Sequence, residues 1–281
     1  MNIIFGTAQL MQEYGLAKKN LKNNQLTKIL SHARKNKFKL IDTALAYKNV
    51  DSVLSKHDLS KFNIITKVSN LQNNKTYKEI DNSRSDLSIS KFHTVLLHDE
   101  NELVNNQAKK NYKILKNLKL KKLTKYIGVS VYSKKKTLKI IENFKIDILQ
   151  VPGNIFDRRF FDQEFLRLVN KKNIKIYFRS IFLQGTLLNK NLYKKAKMLK
   201  KSKLFKDYFE WIENQKVTPL EATFGYLNKI GIKNVIVGVS NYEEYKQIIK
   251  KKNYANDYKV PQFVANQNDK NYILRTDLWK K

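Results

Sequence analysis

The sequence of 281 residues predicts an α/β fold, a single-domain (β/α)8 or TIM barrel. Eight short runs of β-branched or aromatic residues alternate with segments of helical period, which is the pattern of successive βα units. Polar residues directly follow several of these runs, as expected where barrel strands end at a catalytic face. An open doubly wound sheet is the alternative, but the first turn, Gly6-Thr7-Ala8-Gln9, lacks the glycine-rich pattern usual there.

The first half of the chain contains four of the expected βα units. Its strand runs are short and apolar, and its helices carry apolar residues at spacings of three and four, as in Leu26, Ile29, Leu30 and Ala33. We expect strands at residues 2–5, 38–41, 62–66 and 92–97. We expect helices at residues 25–35, 50–56, 76–87 and 107–123.

The second half repeats the alternation. Thr218 is placed to cap a helix whose first turn contains Pro219. We expect strands at residues 126–129, 146–151, 174–178 and 235–237, and helices at residues 134–143, 161–171, 219–229 and 242–251. Residues 180–216 are expected to form irregular loop with one or two short helices, and residues 253–281 a polar tail of the same domain, which extends over residues 1–281.

Composition excludes several classes of protein. With 42% hydrophobic and 11% aromatic residues, the chain can bury a substantial core. It contains no cysteine, so a disulfide framework or a thiolate metal site is impossible. No histidine or acidic pair has metal-ligand spacing, so no metal site is predicted. No apolar run approaches the roughly 20 residues of a membrane-spanning helix, and we expect a cytoplasmic protein without a membrane partner.

The formal net charge of +32 has two interpretations. It is typical of proteins that bind nucleic acid or anionic surfaces, and it is also typical of a lysine-rich chain whose helices expose solvated faces. The lysines alternate with apolar helix positions, as at residues 113–119, which favours the second interpretation. No helix-turn-helix, zinc-finger or RNP-like segment accompanies the charge, and this argues against a nucleic-acid partner.

Four side chains near the expected strand ends form a candidate catalytic set. Asp42, Lys67 and His98 close the second, third and fourth strands, and Tyr47 follows Asp42 by five residues. A neighbouring lysine makes tyrosine a better acid, an aspartate keeps that lysine charged, and a histidine can bind a carbonyl oxygen. Each residue alone has an ordinary structural explanation, such as a cap or a core histidine. Together they suit proton donation to a carbonyl that receives a hydride, which implies a nicotinamide cofactor.

The chain resembles the aldo/keto reductase family. The matching segments follow the family order over about residues 3 to 279 and are Phe5-Gly6-Thr7-Ala8, Ile41-Asp42-Thr43-Ala44 with Tyr47, Ile65-Thr66-Lys67, Leu96-Leu97-His98, Ile127-Gly128-Val129-Ser130, Gln150-Val151-Pro152 with Asn154, Arg179-Ser180 with Gln184-Gly185, and Val237-Gly238. The resemblance implies a (β/α)8 barrel, an NAD(P)H cofactor and interconversion of carbonyls and alcohols. It places the family's catalytic tetrad on Asp42, Tyr47, Lys67 and His98, with Tyr47 as the acid/base.

The resemblance also implies a cofactor site that surrounds the catalytic set. Ser130, Gln150 and Asn154 match positions near the nicotinamide amide, and the segment that begins at Ser180 matches the loop that meets the pyrophosphate. The expected cofactor-binding residues are Gly6, Thr7, Asp42, Ser130, Gln150, Asn154, Arg179, Ser180, Leu183, Gly185, Gly238, Ser240 and Asn241. Ser240 and Asn241 belong to the segment expected at the adenosine phosphate.

The sequence departs from the family pattern at several of these positions. Val131 follows Ser130 where asparagine is common, and Lys48 follows Tyr47 where glycine is usual. Arg179 stands where many members stack an aromatic ring on the nicotinamide, although a guanidinium can also stack on such a ring. Glu244 lies near the arginine position of many NADP-preferring members, and its charge would repel a 2′-phosphate. NADP(H) nevertheless remains the expected cofactor ahead of NAD(H).

The favoured function is NAD(P)H-dependent reduction of an aldehyde or ketone, with a sugar-derived carbonyl as one candidate substrate. One alternative is a non-catalytic NAD(P)H-binding auxiliary or sensor protein on the same barrel, and another is a basic nucleic-acid-associated protein. The complete set of Asp42, Tyr47, Lys67 and His98 favours the enzyme, because a protein that only binds has no need of a proton-donating tyrosine. The expected partner is a small-molecule carbonyl compound, and no pattern specifies an oligomeric state.

Overall fold

Eight parallel strands close into a barrel in chain order, with the first strand paired to the last. The computed structural model describes residues 1–263 apart from residues 11, 12, 14, 17, 18, 37, 196–198, 201 and 258. The predicted (β/α)8 barrel is therefore confirmed. Most of the tail expected over residues 253–281 lies outside the described residues, which end at residue 263.

The strands and helices alternate as the apolar periods predict. The strands are β1 (Asn2–Gly6), β2 (Leu40–Asp42), β3 (Asn63–Val68), β4 (Phe92–Leu97), β5 (Thr124–Ser130), β6 (Ile148–Pro152), β7 (Lys175–Arg179) and β8 (Asn234–Val237). The helices are α1 (Asn23–Lys35), α2 (Val50–Leu54), α3 (Asn73–Asp86), α4 (Ala108–Leu120), α5 (Lys134–Asn143), α6 (Gln163–Lys171), α7 (Lys190–Lys195), α8 (Lys203–Gln215), α9 (Pro219–Lys229) and α10 (Tyr242–Lys251). Two 3₁₀ turns cover Glu100–Leu103 and Leu183–Gly185.

The segment between β7 and α9 is more regular than expected. The short helix α7 agrees with the prediction, but α8 is a helix of 13 residues. Its apolar positions Leu204, Phe205, Tyr208, Phe209 and Ile212 are all buried. Phe205 and Tyr208 pack on Phe156 in the loop after β6, and this packing stabilises a helix whose period is concealed by the lysines around it.

The helix α9 begins as the sequence predicts. The Thr218 side chain accepts a hydrogen bond from the backbone N–H of Glu221, and the Glu221 side chain accepts one from the backbone N–H of Thr218. This capping box satisfies donors that the first helical turn leaves without partners. Within the described part of the chain, no helix is both long and apolar enough to cross a membrane.

The barrel interior is apolar in its middle and polar at one end. Buried residues of six strands meet in the middle and are Ile4, Ile65, Leu96, Ile148, Tyr177 and Ile236. Because side chains alternate along a strand, the residue two positions after each of these six also points into the barrel. These later residues lie at the carboxyl ends of the strands. Those positions hold Gly6, Lys67, His98, Gln150, Arg179 and Gly238. Every one of them is a predicted site residue, and together they form the barrel mouth.

Candidate active site

A buried ion pair lies at the centre of the barrel mouth. The Nζ of Lys67 at the end of β3 is 2.7 Å from Oδ2 of Asp42 at the end of β2, and the two side chains are 3% and 7% exposed. Lys67 Nζ also donates to the carbonyl of Thr43 at 2.8 Å, and Gln150 Nε2 on β6 donates to Asp42 Oδ1 at 2.8 Å. Buried charges are tolerated when they are paired and hydrogen-bonded, so this cluster is a fixed and neutral unit.

Tyr47 and His98 lie beside this pair. The rings of Tyr47 and His98 meet edge to face, with 6.3 Å between their centroids, and Lys67 Nζ is 5.5 Å from the centroid of the Tyr47 ring. The loop that carries Tyr47 is anchored by backbone hydrogen bonds from Leu45 to the Lys67 carbonyl at 3.1 Å and from Tyr47 to the Ala44 carbonyl at 2.9 Å. The four predicted catalytic side chains are thus brought together.

The surroundings determine the protonation of both rings. Burial and the negative charge of Asp42 raise the pKa of Tyr47. The positive charge of Arg179 lowers it, but by less. Burial and the positive charge of Lys67 lower the pKa of His98 to about 4. At neutral pH the phenol therefore carries its proton and the imidazole is neutral. Neither ring has a side-chain hydrogen bond among the described residues, so both are available to a carbonyl oxygen.

Three further predicted residues line the base of the mouth. Ser130 is buried at the end of β5, where it is paired in register with Gln150. Gly6 ends β1 opposite Asp42, and the hydroxyl of Thr7 donates to the Asp42 carbonyl at 3.1 Å. These residues support the backbone and side chain of Asp42, and a direct contact of theirs with a cofactor stays a prediction.

Asn154 is buried, and its side chain forms hydrogen bonds with the backbone of two loops. Its Oδ1 accepts hydrogen bonds from the backbone N–H groups of Phe156 and Asp157, both at 2.9 Å. Its Nδ2 donates to the carbonyl of Ser180 at 3.1 Å. Asn154 therefore joins the loop after β6 to the loop after β7 and fixes the start of the segment expected to meet the pyrophosphate.

The loop after β7 contains several residues in left-handed backbone conformations. Ser180, Leu183 and Gln184 have φ values of 59°, 48° and 54°, and Gly185 has a φ of 86°. Only glycine adopts such values freely, and each of the others costs on the order of 1–3 kcal/mol. The Thr186 hydroxyl donates to the Leu183 carbonyl at 2.6 Å and stabilises the turn. Strain of this kind is found at ligand-binding segments, and binding of the pyrophosphate by this loop stays a prediction.

A cavity of about 490 Å³ opens beside the mouth, between α10, the start of α9 and the loop after β7. Gly238 and Glu244 are among its lining residues. Asn241 Oδ1 accepts from the Glu244 backbone N–H at 2.8 Å, and Glu244 in turn accepts from the Ser240 N–H at 2.8 Å. Glu244 also lies 3.4 Å from Lys19 Nζ. Ser240 and Asn241 thus lie at the start of α10 and fix Glu244, which lines a cavity of ordinary ligand size.

Arg179 is held by a residue that sequence reasoning missed. Its guanidinium lies over the ring of Tyr132, with 4.0 Å between Cζ and the ring centroid. Arg179 Nη2 donates to the Val131 carbonyl at 3.1 Å, and Nη1 approaches the Ser180 hydroxyl at 3.4 Å. The one indication in the sequence is that Tyr132 lies two residues after Ser130, just beyond a strand end that carries a predicted site residue.

Three solved structures with the same fold are each distant from this chain in sequence. An aldo-keto reductase of Bacillus halodurans in its holo form has a TM-score of 0.72 at 16% identity, covering 93% of this chain and 89% of that one. An aldo/keto reductase of Klebsiella pneumoniae in complex with NADP and acetate has a TM-score of 0.68 at 14% identity, covering 96% and 91%. The glycerol dehydrogenase of Gluconobacter oxydans has a TM-score of 0.64 at 16% identity, covering 89% and 85%. These similarities show a shared fold.

The family follows from the sequence comparison. No curated protein matches the chain, but the model of the aldo/keto reductase family matches residues 2–262. This range contains all eight strands and every predicted site residue. The predicted family is therefore confirmed, and the chain belongs to the aldo/keto reductase family of NAD(P)H-dependent oxidoreductases.

Proposed function

We propose that this protein reduces an aldehyde or ketone to an alcohol, with a hydride from NAD(P)H and a proton from Tyr47. The observation that carries the proposal is the arrangement of Tyr47 and His98 beside the buried pair of Asp42 and Lys67. Family membership supports the same reaction class. The substrate is a small carbonyl compound, with a sugar-derived carbonyl as one candidate.

Each member of the set has a distinct part in the reaction. The neutral His98 ring donates a hydrogen bond to the carbonyl oxygen and positions it. Tyr47 donates its proton to that oxygen as the negative charge develops, and such general-acid help contributes on the order of 10²–10⁴ in rate. The ammonium of Lys67 stabilises the tyrosinate that remains, and Asp42 keeps Lys67 charged and oriented. The bound nicotinamide supplies the hydride.

The residues around the mouth fit a dinucleotide. The loop that contains Ser180, Leu183 and Gly185 is strained, and the cavity lined by Gly238 and Glu244 has the size of a ligand pocket. Ser130, Gln150 and Asn154 would lie near the nicotinamide, and Asn241 near the adenosine phosphate. We favour NADP(H) over NAD(H), because the similar Klebsiella pneumoniae structure contains NADP. Glu244 argues for NAD(H) instead, because its carboxylate would repel the 2′-phosphate of NADP(H).

The proposal is tested with Tyr47→Phe and a panel of aldehydes. We expect NADPH oxidation to fall by roughly 10²–10⁴, while NADPH still binds in a fluorescence titration. Tyr112→Phe is the matched control, because its hydroxyl donates to the Lys145 carbonyl at the surface and its loss leaves the mouth unchanged. Full activity of Tyr47→Phe, or a wild-type protein that binds neither NADPH nor NADH, would contradict the mechanism.

A further inference from the structure

The end of the barrel opposite the mouth carries an uneven share of the positive charge. At that end, seven connections lead from a helix to the following strand. Each of them contains at least one exposed lysine, and β5 and β7 each add another within their first two residues. These side chains define the basal face and are Lys39, Lys56, Lys61, Lys91, Lys121, Lys122, Lys125, Lys145, Lys172, Lys175 and Lys233.

Acidic residues do not balance these lysines. Those in the same connections are Asp58 and Asp147, and each pairs with a basic side chain of a helix, at 3.3 and 2.9 Å. The last helical turns add more basic than acidic residues as well. No lysine of the basal face forms an ion pair or a side-chain hydrogen bond with another described residue.

The mouth end of the same chain is balanced. Its connections from a strand to the following helix contain the basic residues Lys18, Lys19, Lys22, Lys48, Arg158 and Arg159 and the acidic residues Glu13, Asp99, Glu100, Glu102, Asp157 and Asp162. A lysine-rich composition alone would raise the charge of both ends alike. Cations also stabilise the carboxyl ends of helices, but only within the last turn, and Lys39, Lys91 and Lys233 lie four or five residues beyond the preceding helix.

Two lysines of the basal face converge on one aromatic ring. The Nζ atoms of Lys125 and Lys175 each lie 5.1 Å from the centroid of the Tyr126 ring. The ring of His93 is 5.0 Å from that of Tyr126, and its pKa is lowered to about 4, first by burial and then by these two charges. Like charges thus gather where no carboxylate of the described residues pairs with them, and an anion at this face would relieve their repulsion.

Apolar side chains accompany the charge. Leu120 ends α4 beside Lys121 and Lys122 and is 70% exposed. The other exposed large apolar side chain of the described residues is Tyr132, at the mouth. Half-buried apolar side chains lie in several of the basal connections and are Phe38, Ile89, Leu123, Phe144 and Ile230. Lysines with interspersed apolar side chains suit the boundary between lipid head groups and acyl chains.

We propose that the basal face binds the surface of an anionic lipid membrane, with its lysines on the phosphate groups and Leu120 at the level of the first acyl carbons. A nucleic acid fits this face less well. The basal connections contain no arginine, which pairs and stacks better than lysine with phosphates and bases. Among the described residues, no exposed aromatic side chain offers a stacking surface there either.

This binding goes beyond the proposed reductase function and leaves it unobstructed, because the mouth lies at the opposite end of the barrel and stays open to solvent. The contact is peripheral and requires no spanning helix. It therefore departs from the expectation of no membrane partner, which considered only spanning helices.

Flotation with lipid vesicles tests the assignment. At about 0.1 M salt, wild type is expected to bind vesicles of phosphatidylcholine mixed with phosphatidylglycerol, and not vesicles of phosphatidylcholine alone. At about 1 M salt the Debye length falls to roughly 3 Å, and the protein should be released. The quadruple variant Lys121→Gln, Lys122→Gln, Lys125→Gln and Lys175→Gln is expected to bind on the order of 10²-fold more weakly, because each lysine near such a surface contributes roughly fivefold.

Two further variants separate position from total charge. The matched control, Lys22→Gln, Lys109→Gln, Lys110→Gln and Lys135→Gln, removes the same charge from exposed lysines at helix starts near the mouth end, and is expected to weaken binding by less than about threefold. Leu120→Gln is expected to weaken it by roughly threefold or more without changing its salt dependence. Melting temperatures establish that each variant is folded.

Three outcomes overturn the assignment. The first is a wild-type protein that does not bind the anionic vesicles. The second is equal weakening by the two quadruple variants, because the total charge and not the basal face would then govern binding. The third is tighter binding to duplex DNA than to the vesicles together with no effect of Leu120→Gln, which would make this a nucleic-acid surface. Flotation needs no turnover, so the result stands or falls independently of the reductase function.

Discussion

Replacing Lys67 with methionine tests stability and chemistry at one contact. The change removes the ammonium that lies 2.7 Å from Asp42 and leaves a buried carboxylate whose remaining side-chain hydrogen bond comes from Gln150. Breaking a buried ion pair in this way costs about 3–5 kcal/mol. For a domain of this size, each kcal/mol lowers the melting temperature by roughly 2–4 °C. We therefore expect a decrease in melting temperature of roughly 6–20 °C, together with the loss of reductase activity.

Two further variants separate the possible causes. Lys119→Met breaks a pair of similar length, 2.9 Å to Asp147, whose side chains are 38% and 25% exposed. A solvated pair contributes about 0–1 kcal/mol, so this control is expected to lose about that much. The double variant Asp42→Asn with Lys67→Met removes the unpaired charge, and we expect it to recover most of the free energy of unfolding without recovering activity.

Urea denaturation and an NADPH oxidation assay measure both effects. The reasoning about stability fails if Lys67→Met unfolds within about 1 kcal/mol of wild type, or if the double variant is no more stable than the single one. The reasoning about chemistry fails if Lys67→Met, shown to be folded, reduces aldehydes at the wild-type rate. Because the two readouts are independent, either part can fail alone.

Two other predictions follow from the packing and from the His98 environment. Gly128→Ala would push a methyl group into the carbonyl oxygen of Ile148. In Gly231→Ala the new methyl group meets nothing within 4 Å, and the cost is limited to the backbone strain of alanine at a φ of 78°, on the order of 1–3 kcal/mol. Thermal unfolding should therefore show a larger loss for Gly128→Ala, and equal losses would contradict this. The pKa of His98 is about 4 in the folded state, against 6.5 for an unperturbed histidine, so the unfolded chain binds the proton first as pH falls. The free energy of unfolding should decline between pH 6.5 and 4, less so in His98→Gln, and a step in reductase activity near pH 6.5 would refute a neutral His98.

Local patterns were sufficient to predict the barrel. The apolar periods placed all eight strands, and the predicted bounds of α5, α9 and α10 agree with the structure. These elements depend on residues that are close in sequence, such as Thr218 and Glu221 in the capping box of α9. The helix α8 was underestimated, because it is stabilised by packing of Tyr208 on Phe156 in the loop after β6, a contact between segments far apart in sequence that no local pattern records.

The part of the candidate site that could be predicted from the residues alone is the set that lies at strand ends. Asp42, Lys67, His98 and Gln150 were found because each closes an apolar run, and strand order alone brings them to one mouth. The contacts between loops were not predictable. The hydrogen bond from Arg179 to the Val131 carbonyl joins residues 48 positions apart, and the sequence does not indicate which loop packs on which. Tyr132 was missed for this reason, although it determines where the guanidinium lies.

The polar mouth of the barrel holds buried charges above an apolar interior. A layer of charged side chains above an apolar interior is stable only if its charges are balanced or solvated. Asp42, Lys67 and Gln150 meet this condition among themselves, since each satisfies another within 2.8 Å. Arg179 has no carboxylate partner among the described residues, and its partners are a carbonyl, a hydroxyl and an aromatic ring. Because Arg179 is only half-buried, solvent and these neutral partners together hold its charge, and the field of that charge reaches both Tyr47 and His98.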